Sequence, residues 1–380
     1  MLDVSRNGST MKVLHLTLSY GQGGRREAIV ALARGLADLG IECHLGCLDE
    51  FDSAPEERTS FSGAINLERN GVFDLAALSQ LRVYCREHGI DVVHAHDAAS
   101  EAMAALAMPV AGPALLMTFH RTRSIETARL RDRLRNALVG LRVGAVVTAS
   151  QERLRHYVAS NYVNPDKVSC VPLGIDLDRF RDDPRLRLEM RERSGVRNGE
   201  LVVGAVGHFG EVKGIDLAIG AFQSFARDHP EHDIRLVILG QGSAEREATL
   251  RAMVLPEFSG RIFFEGFRSD PENWFPGFDV LLHGARDEAF GLVLAEAQAC
   301  GVPVVAAKVG GIPEVVLDGR TGYLAASAAI APLADKLQQL LASESGHRQM
   351  GRQAVEHAQR QFSRRRYAED YLQVYRRLLA

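Results

Sequence analysis

Residues 287–322 read DEAFGLVLAEAQACGVPVVAAKVGGIPEVVLDGRTG, and they follow a short apolar run at 279–283. Gly291 opens a helical stretch that ends near Cys300, where Gly301 and Pro303 stop it, and a second apolar run fills 302–306. Strand, helix and strand in this compass predict one parallel crossover unit. The turn into the helix offers unpaired N–H groups and a partial positive charge to an anion. Glu288 precedes the helix and Glu296 lies inside it, with seven residues between them. On a helix that separation spans about 12 Å, whereas hydrolytic carboxylate pairs lie roughly 5–9.5 Å apart. The two acceptor-only groups therefore suit opposite ends of one extended, hydroxyl-bearing ligand. A solvated helix residue is the alternative for Glu296.

The same alternation runs outward in both directions. Strands are expected at 11–18, 42–48, 91–96, 114–119, 144–149 and 168–173, then at 201–207, 234–239, 261–265, 279–283, 302–306 and 322–325. Helical periods between them predict parallel sheets covered on both faces. A charged, polar stretch at 176–199 separates the two series. The fold class is therefore α/β, with two Rossmann-like, doubly wound parallel-sheet domains facing a cleft, and ligands are expected at the carboxyl ends of the strands. The domains are placed at 1–185 and 186–360. Residues 361–380 have helical spacing, which fits either a solvated helix or one packed back on the first domain.

Composition excludes several classes. The 380 residues carry Lys+Arg 45 against Asp+Glu 48, a net charge of −3, which argues against a nucleic-acid binder. Only Lys12, Lys167, Lys213, Lys308 and Lys336 are lysines; every other cation of that pair is Arg. A lysine in this chain is the exception, and Lys213 sits in a glycine-flanked turn (Gly210, Gly214) after a strand. A compact ammonium there suits a point contact on a diphosphate. Five scattered Cys match neither a disulfide framework nor zinc spacing, so no metal and a reducing, cytoplasmic setting are expected. The uncharged run 102–119 is broken by Pro109, Gly112 and Pro113, and reads as helix, turn and strand rather than a membrane span. Gly21-Gln22-Gly23-Gly24-Arg25-Arg26 lacks the third glycine of a dinucleotide fingerprint, and no Walker lysine pattern exists.

Glu288 to Glu296 resembles the E-x7-E motif of retaining glycosyltransferase family 4 (glycosyl transferases group 1), and GGIPEVVLDGRTGYL resembles that family's next loop. GQGG at 21–24, VVHAHD at 92–97, TFH at 118–120, VPLGIDLDRF at 171–180, GHFGEVKGID at 207–216 and LGQG at 239–242 resemble further segments in the family's order. The resemblance covers nearly the whole chain. It implies the GT-B fold and a retaining, metal-independent transfer from a nucleoside-diphosphate-sugar, a substrate rather than a cofactor, to a glycan or lipid-linked acceptor. Surface polysaccharide or lipopolysaccharide assembly is the typical setting. It also implies catalytic roles for Lys213, Glu288 and His120. Donor binding would fall to Gly23, Gly24, His208, Lys213, Glu288, Phe290, Gly291, Leu292 and, at the ribose, Glu296.

The chain departs from the family pattern at His208, where Arg is usual, and at Leu173, where Asn is usual. Arg25 and Arg26 replace an Ala-Glu pair; they either supply the missing charge or begin a solvated helix. Asp97 and His96 end a strand, as acceptor-side or as structural residues, and Asp176 leaves the same choice open. Stretch 121–142 carries seven Arg; it fits a solvated face or a peripheral contact with anionic lipid at the inner membrane face. Two rival functions are a GT-B sugar-nucleotide epimerase, against which the E-x7-E segment speaks, and a non-catalytic carbohydrate-binding homologue.

Overall fold

The computed structural model describes residues 10–21, 23–49, 60–71, 74–120, 140–161 and 164–380, the side chains of 160 and 161 aside. The chain divides into two compact units, residues 1–175 with 363–380, and residues 176–362. The first break falls after Ile175 rather than at 185/186, because the helix Pro184–Arg193 is tied to the second unit. Its Arg187 and Arg191 both reach the buried Asp279 carboxylate, at 2.5 and 3.1 Å.

In the first unit the elements run β1 (Lys12–Thr17), α1 (Gly24–Asp38), β2 (Glu42–Cys47), β3 (Gly63–Asn66), α2 (Leu75–His88), β4 (Val92–Ala95), α3 (Ala98–Ala107), β5 (Ala114–Phe119), β6 (Ala145–Thr148), α4 (Gln151–Asn161) and β7 (Val168–Cys170). The sheet is parallel with order β3-β2-β1-β4-β5-β6-β7. Helix Arg364–Leu379 belongs to this unit. A Cβ on Gly35 of α1 would come within 2.8 Å of Arg364 O and Ala368 Cβ, so a glycine lets the two helices touch. The edge strand β3 is absent from the sequence pattern, since GAIN has no apolar run and none of its residues is buried.

The second unit contains α5 (Pro184–Arg193), β8 (Leu201–Val206), α6 (Ile215–Asp228), β9 (Ile234–Leu239), α7 (Ala244–Ala252), β10 (Ile262–Gly266), β11 (Val280–His283), α8 (Leu292–Ala299), β12 (Val304–Ala307), α9 (Ile312–Val315), β13 (Gly322–Ala325), α10 (Ile330–Leu341) and α11 (Glu344–Gln361). Its parallel sheet has the order β10-β9-β8-β11-β12-β13. Val203, Leu236, Ile238 and Leu282 bury against Phe222, Phe225 and Phe258. Burial on both faces explains why these strands read as continuous apolar runs. The strand order of each sheet reverses once, between β1 and β4 and between β8 and β11. Such switch points leave a crevice at the strand carboxyl ends. No described helix is long and apolar enough to cross a membrane.

Candidate functional site

At the second switch point, β8 leads through Gly207-His208-Phe209-Gly210 into a short turn, Glu211–Lys213, and then α6. Gly214 joins turn to helix with φ 62°, and a Cβ there would lie 1.9 Å from Gly284 O, just past β11. A Cβ on Gly284 would in turn lie 2.4 Å from Gly214 O. Two glycines thus let the loops after β8 and β11 meet backbone to backbone. Arg286 fastens the junction: its N–H donates to Val212 O at 2.8 Å, and its guanidinium grips both Asp216 oxygens at 3.0 and 2.5 Å. Arg246 adds bonds to Phe209 O at 2.9 Å and to Asp216 at 3.2 Å. Burial alone would raise the Asp216 pKa, but the paired Arg286 outweighs it and brings it down.

This framework sets the Lys213 ammonium 2.5 Å from Glu288 Oε2. The imidazole of His283, the last residue of β11, stands 3.5 Å from the same oxygen. Glu288 is buried, which would favour its neutral form. The His283 ring and the Lys213 charge win, and its pKa falls to about 2. The Glu288 backbone is held too, its carbonyl accepting from Gly311 N–H at 2.8 Å. Gly291 then turns the chain into α8 at φ 96°, with no side-chain cap. The N–H groups of Phe290, Gly291 and Leu292 have no partner among the described residues. They border the Glu288 carboxylate as a neutral, amide-lined edge suited to an oxyanion. Phe290's ring anchors this turn edge-to-face on Phe362, at 5.5 Å. Glu296 follows in the second turn of α8, half-buried; burial and then its charge push the Cys300 thiol up.

His208 is exposed, and its Nδ1 accepts from Gly210 N–H at 3.0 Å. An accepting Nδ1 leaves a ring proton on Nε2, so His208 offers an N–H donor there. His208, Lys213, Glu288 and the Phe290–Leu292 amides therefore lie on two loops flanking one switch point. His283, Asp216 and Arg286, which support them, were not among the sequence candidates. The only hint of His283 is a polar residue closing the apolar run VLLH.

In the first unit Gly23 adopts φ 137°, and a Cβ there would meet nothing within 4 Å, so backbone conformation rather than space asks for glycine. Gly24 begins α1. Arg25 lies 3.5 Å from Asp97 and donates to Ser19 O at 3.3 Å, while Arg26 sits over the Tyr20 ring at 5.5 Å. Asp97 has both oxygens committed. Oδ1 caps α3 by accepting from Ala99 and Ser100 N–H, and Oδ2 accepts from Thr17 Oγ1 at 3.0 Å and Leu18 N at 2.7 Å. Its geometry is that of a brace between β1 and α3.

Beside it stand four histidines. His96 Nε2 is 3.1 Å from His15 Nδ1, and His96 Nδ1 is 3.2 Å from His120 Nε2. His94 bonds Tyr375 OH at 2.7 Å and Thr118 Oγ1 at 2.6 Å, and Thr118 in turn contacts Tyr371 OH at 2.6 Å. The nitrogens of His15, His94 and His96 fall within 4.8 Å of one another. Their rings are nevertheless layered, with His94 and His96 centroids 4.1 Å apart at 32°. His94 also has both nitrogens bonded to hydroxyls, so this is a hydrogen-bonded stack rather than a convergent ligand set. Burial drives all four to the neutral form, His15 down to about 3 and His120 to about 4. The Arg-rich stretch falls, from 121 to 139, outside the described residues.

Two doubly wound parallel domains define a GT-B protein. A solved structure of Anabaena Alr3699/HepE in complex with UDP and glucose superposes with a TM-score of 0.84 at 20% identity, over 96% of this chain and 99% of that one. Residues 23–179 match the family "Glycosyltransferase Family 4" and residues 187–357 match "Glycosyl transferases group 1". The chain is 31% identical to the N-acetyl-alpha-D-glucosaminyl L-malate synthase of Bacillus anthracis over 310 residues, 80% of this chain and 79% of that protein. It is 28% identical to the D-inositol 3-phosphate glycosyltransferase of Kribbella flavida over 369 residues, 89% and 87% of the respective chains. This protein belongs to glycosyltransferase family 4, group 1, and is a glycosyltransferase.

Proposed function

We propose that this enzyme moves a sugar from a nucleoside-diphosphate-sugar to an acceptor hydroxyl, with retention of configuration and without a metal. The observation that carries the reading is the Lys213–Glu288 pair, joined at 2.5 Å beside the free amides of Phe290, Gly291 and Leu292. A lysine ammonium has three N–H donors. One holds Glu288, and the others serve the diphosphate. Glu288 stays ionised at neutral pH and accepts from hydroxyls of the transferred sugar, while Glu296 takes the ribose. His208 Nε2–H replaces the family's usual arginine as a phosphate donor. Gly23 and Gly24 admit the diphosphate close to the first loop, and His120 faces the reacting sugar or acceptor.

As the sugar–oxygen bond breaks, charge grows on the leaving diphosphate. Lys213 and the amides stand ready for it, and such preorganised donors are a major catalytic contribution. The leaving oxygens take the acceptor proton. UDP-glucose in the superposed Anabaena protein supports a uridine donor. A glycan or lipid-linked acceptor suits surface polysaccharide or lipopolysaccharide assembly. The names of the two sequence relatives, which point to L-malate and inositol phosphate, favour a second reading, a small hydroxylated anion. Cys43, Cys47, Cys85, Cys170 and Cys300, none joined in a disulfide among the described residues, support a reducing, cytoplasmic setting.

The purified protein, given UDP-, GDP- and ADP-sugars with each acceptor class, is expected to release nucleoside diphosphate from one donor only when an acceptor is present. Glu288→Ala and Lys213→Ala are each expected to cut that rate at least tenfold. Unchanged turnover in both variants overturns the site, and loss of activity in EDTA that magnesium restores overturns metal independence.

A further inference from the structure

Three of the four histidines, two buried and the outermost half-buried, form one chain across neighbouring strands: His15 in β1, His96 after β4 and His120 after β5. Each of the two contacts between rings needs one proton, and each neutral ring supplies one. Only two arrangements satisfy both contacts. In one, every ring carries its proton on Nδ1, so that His15 donates to His96, His96 donates to His120, and His120 presents an N–H at its Nδ1, which has no partner among the described residues. In the other, every proton sits on Nε2, the donors run the opposite way, and His120 presents a bare lone pair.

The inner end decides between them. His15 is fully buried, and its Nε2 has no hydrogen-bond partner. The second arrangement would strand an N–H donor there, whereas the first leaves only a lone pair. Orphaned buried N–H groups are the rarer and more costly of the two. Around the outer end the Arg25 cation acts on His120 more strongly than the Asp97 carboxylate does, but the two oppose each other. Arg25 is itself paired with Asp97 at 3.5 Å and bonded to Ser19 O, so its pull toward the reverse order is blunted. We infer that His15 and His96 are positioning residues that hold His120 in its Nδ1–H form, so that its free nitrogen donates a hydrogen bond and cannot receive a proton. Burial supports the neutrality this requires, since protonation of any of the rings is strongly disfavoured.

A substrate oxygen therefore meets a fixed donor at His120, fit for a sugar hydroxyl or another acceptor oxygen. The ring is not the base that takes the acceptor proton. This consequence rests on the proposed role of His120 at the reacting sugar; the proton order itself does not.

The test is long-range ¹H–¹⁵N correlation on the full chain labelled at histidine, with His15→Phe, His15→Asn and His120→Ala for assignment. His15, His96 and His120 are expected all to be neutral and all in the Nδ1–H form. His15→Phe removes the inner donor and is expected to populate the Nε2–H form of His120 and lower kcat about threefold to tenfold with the donor KM unchanged. His15→Asn places an amide N–H near the lost Nδ1–H and is expected to restore both. Should His15→Phe fail to fold, the wild-type spectrum alone decides. An Nε2–H form at His120 in the wild type, or a His120 tautomer indifferent to His15→Phe, overturns the inference. The expected proton order together with full activity in His120→Ala would instead sink the role given to His120, leaving the order of protons intact.

Discussion

The two switch points occupy the same place in two sheets that share a six-strand order, the first sheet adding β7 at its edge, yet they handle buried polarity in opposite ways. In the second unit the loops after β8 and β11 keep Glu288 charged by pairing it with Lys213 and His283. In the first, the corresponding strands β1 and β4 carry His15 and His94, with His96 just past β4, and burial keeps all three neutral. Charge suits a site that must hold a hydroxyl-rich anion and stabilise its departure. Neutral rings suit a site that only orients an oxygen. Topology thus places the crevice, and side chains decide what it can do.

The contrast should break first at the glycines. Gly214→Ala forces a Cβ to 1.9 Å from Gly284 O at a positive φ, and is expected to cost about 3 kcal/mol or more. Gly21→Ala, with nothing within 4 Å, should stay within about 0.5 kcal/mol of the wild type. Chemical denaturation of both variants checks the pair; equal losses would undo the account of the Gly214–Gly284 contact.

Next in size is the pair itself. Lys213→Ala leaves the Glu288 carboxylate buried without its cation, for a loss of about 3 kcal/mol. Lys213→Ala combined with Glu288→Gln should recover most of that stability while remaining inactive. A double variant no more stable than the single one would mean that the charge is not what the lysine serves.

Acid should separate the two units. The neutral histidines have folded pKa values below the ordinary 6.5. The unfolded chain therefore binds protons first, and stability falls as pH drops below about 6.5, at about 1.4 kcal/mol per pH unit for each ring. Glu288 has the opposite character: its contribution is complete above its ordinary pKa near 4.5 and is lost only as pH falls toward about 2. Trp274, the one tryptophan, is buried in the second unit and reports on it alone. Between pH 6.5 and 4.5 far-UV circular dichroism is expected to lose signal before Trp274 fluorescence shifts, and coincident transitions would contradict the distinction. The smallest effect is Tyr375→Phe, which removes one partner of His94 for about 1 kcal/mol by thermal melting.

Most of the fold was legible because buried parallel strands leave unbroken apolar runs, as at Val203, Leu236 and Leu282. The half-exposed β3 left no such trace. Glycine-rich turns and the spaced glutamates pointed to the second unit's loops, since turn chemistry is local in sequence. What stayed hidden was pairing over distance: Asp97 as the brace of Thr17 and Leu18, Asp216 gripped by Arg286, and His15 behind His96. Such contacts join residues 70 to 81 positions apart, and no spacing rule reaches that far.

The Lys213–Glu288 junction, and not the histidine stack, is expected to hold the diphosphate. Titration calorimetry of the nucleoside diphosphate that the enzyme releases measures this on the wild type, Lys213→Ala and His15→Phe. Affinity is expected to weaken at least tenfold in Lys213→Ala and to stay unchanged in His15→Phe. Wild-type affinity in Lys213→Ala would contradict it.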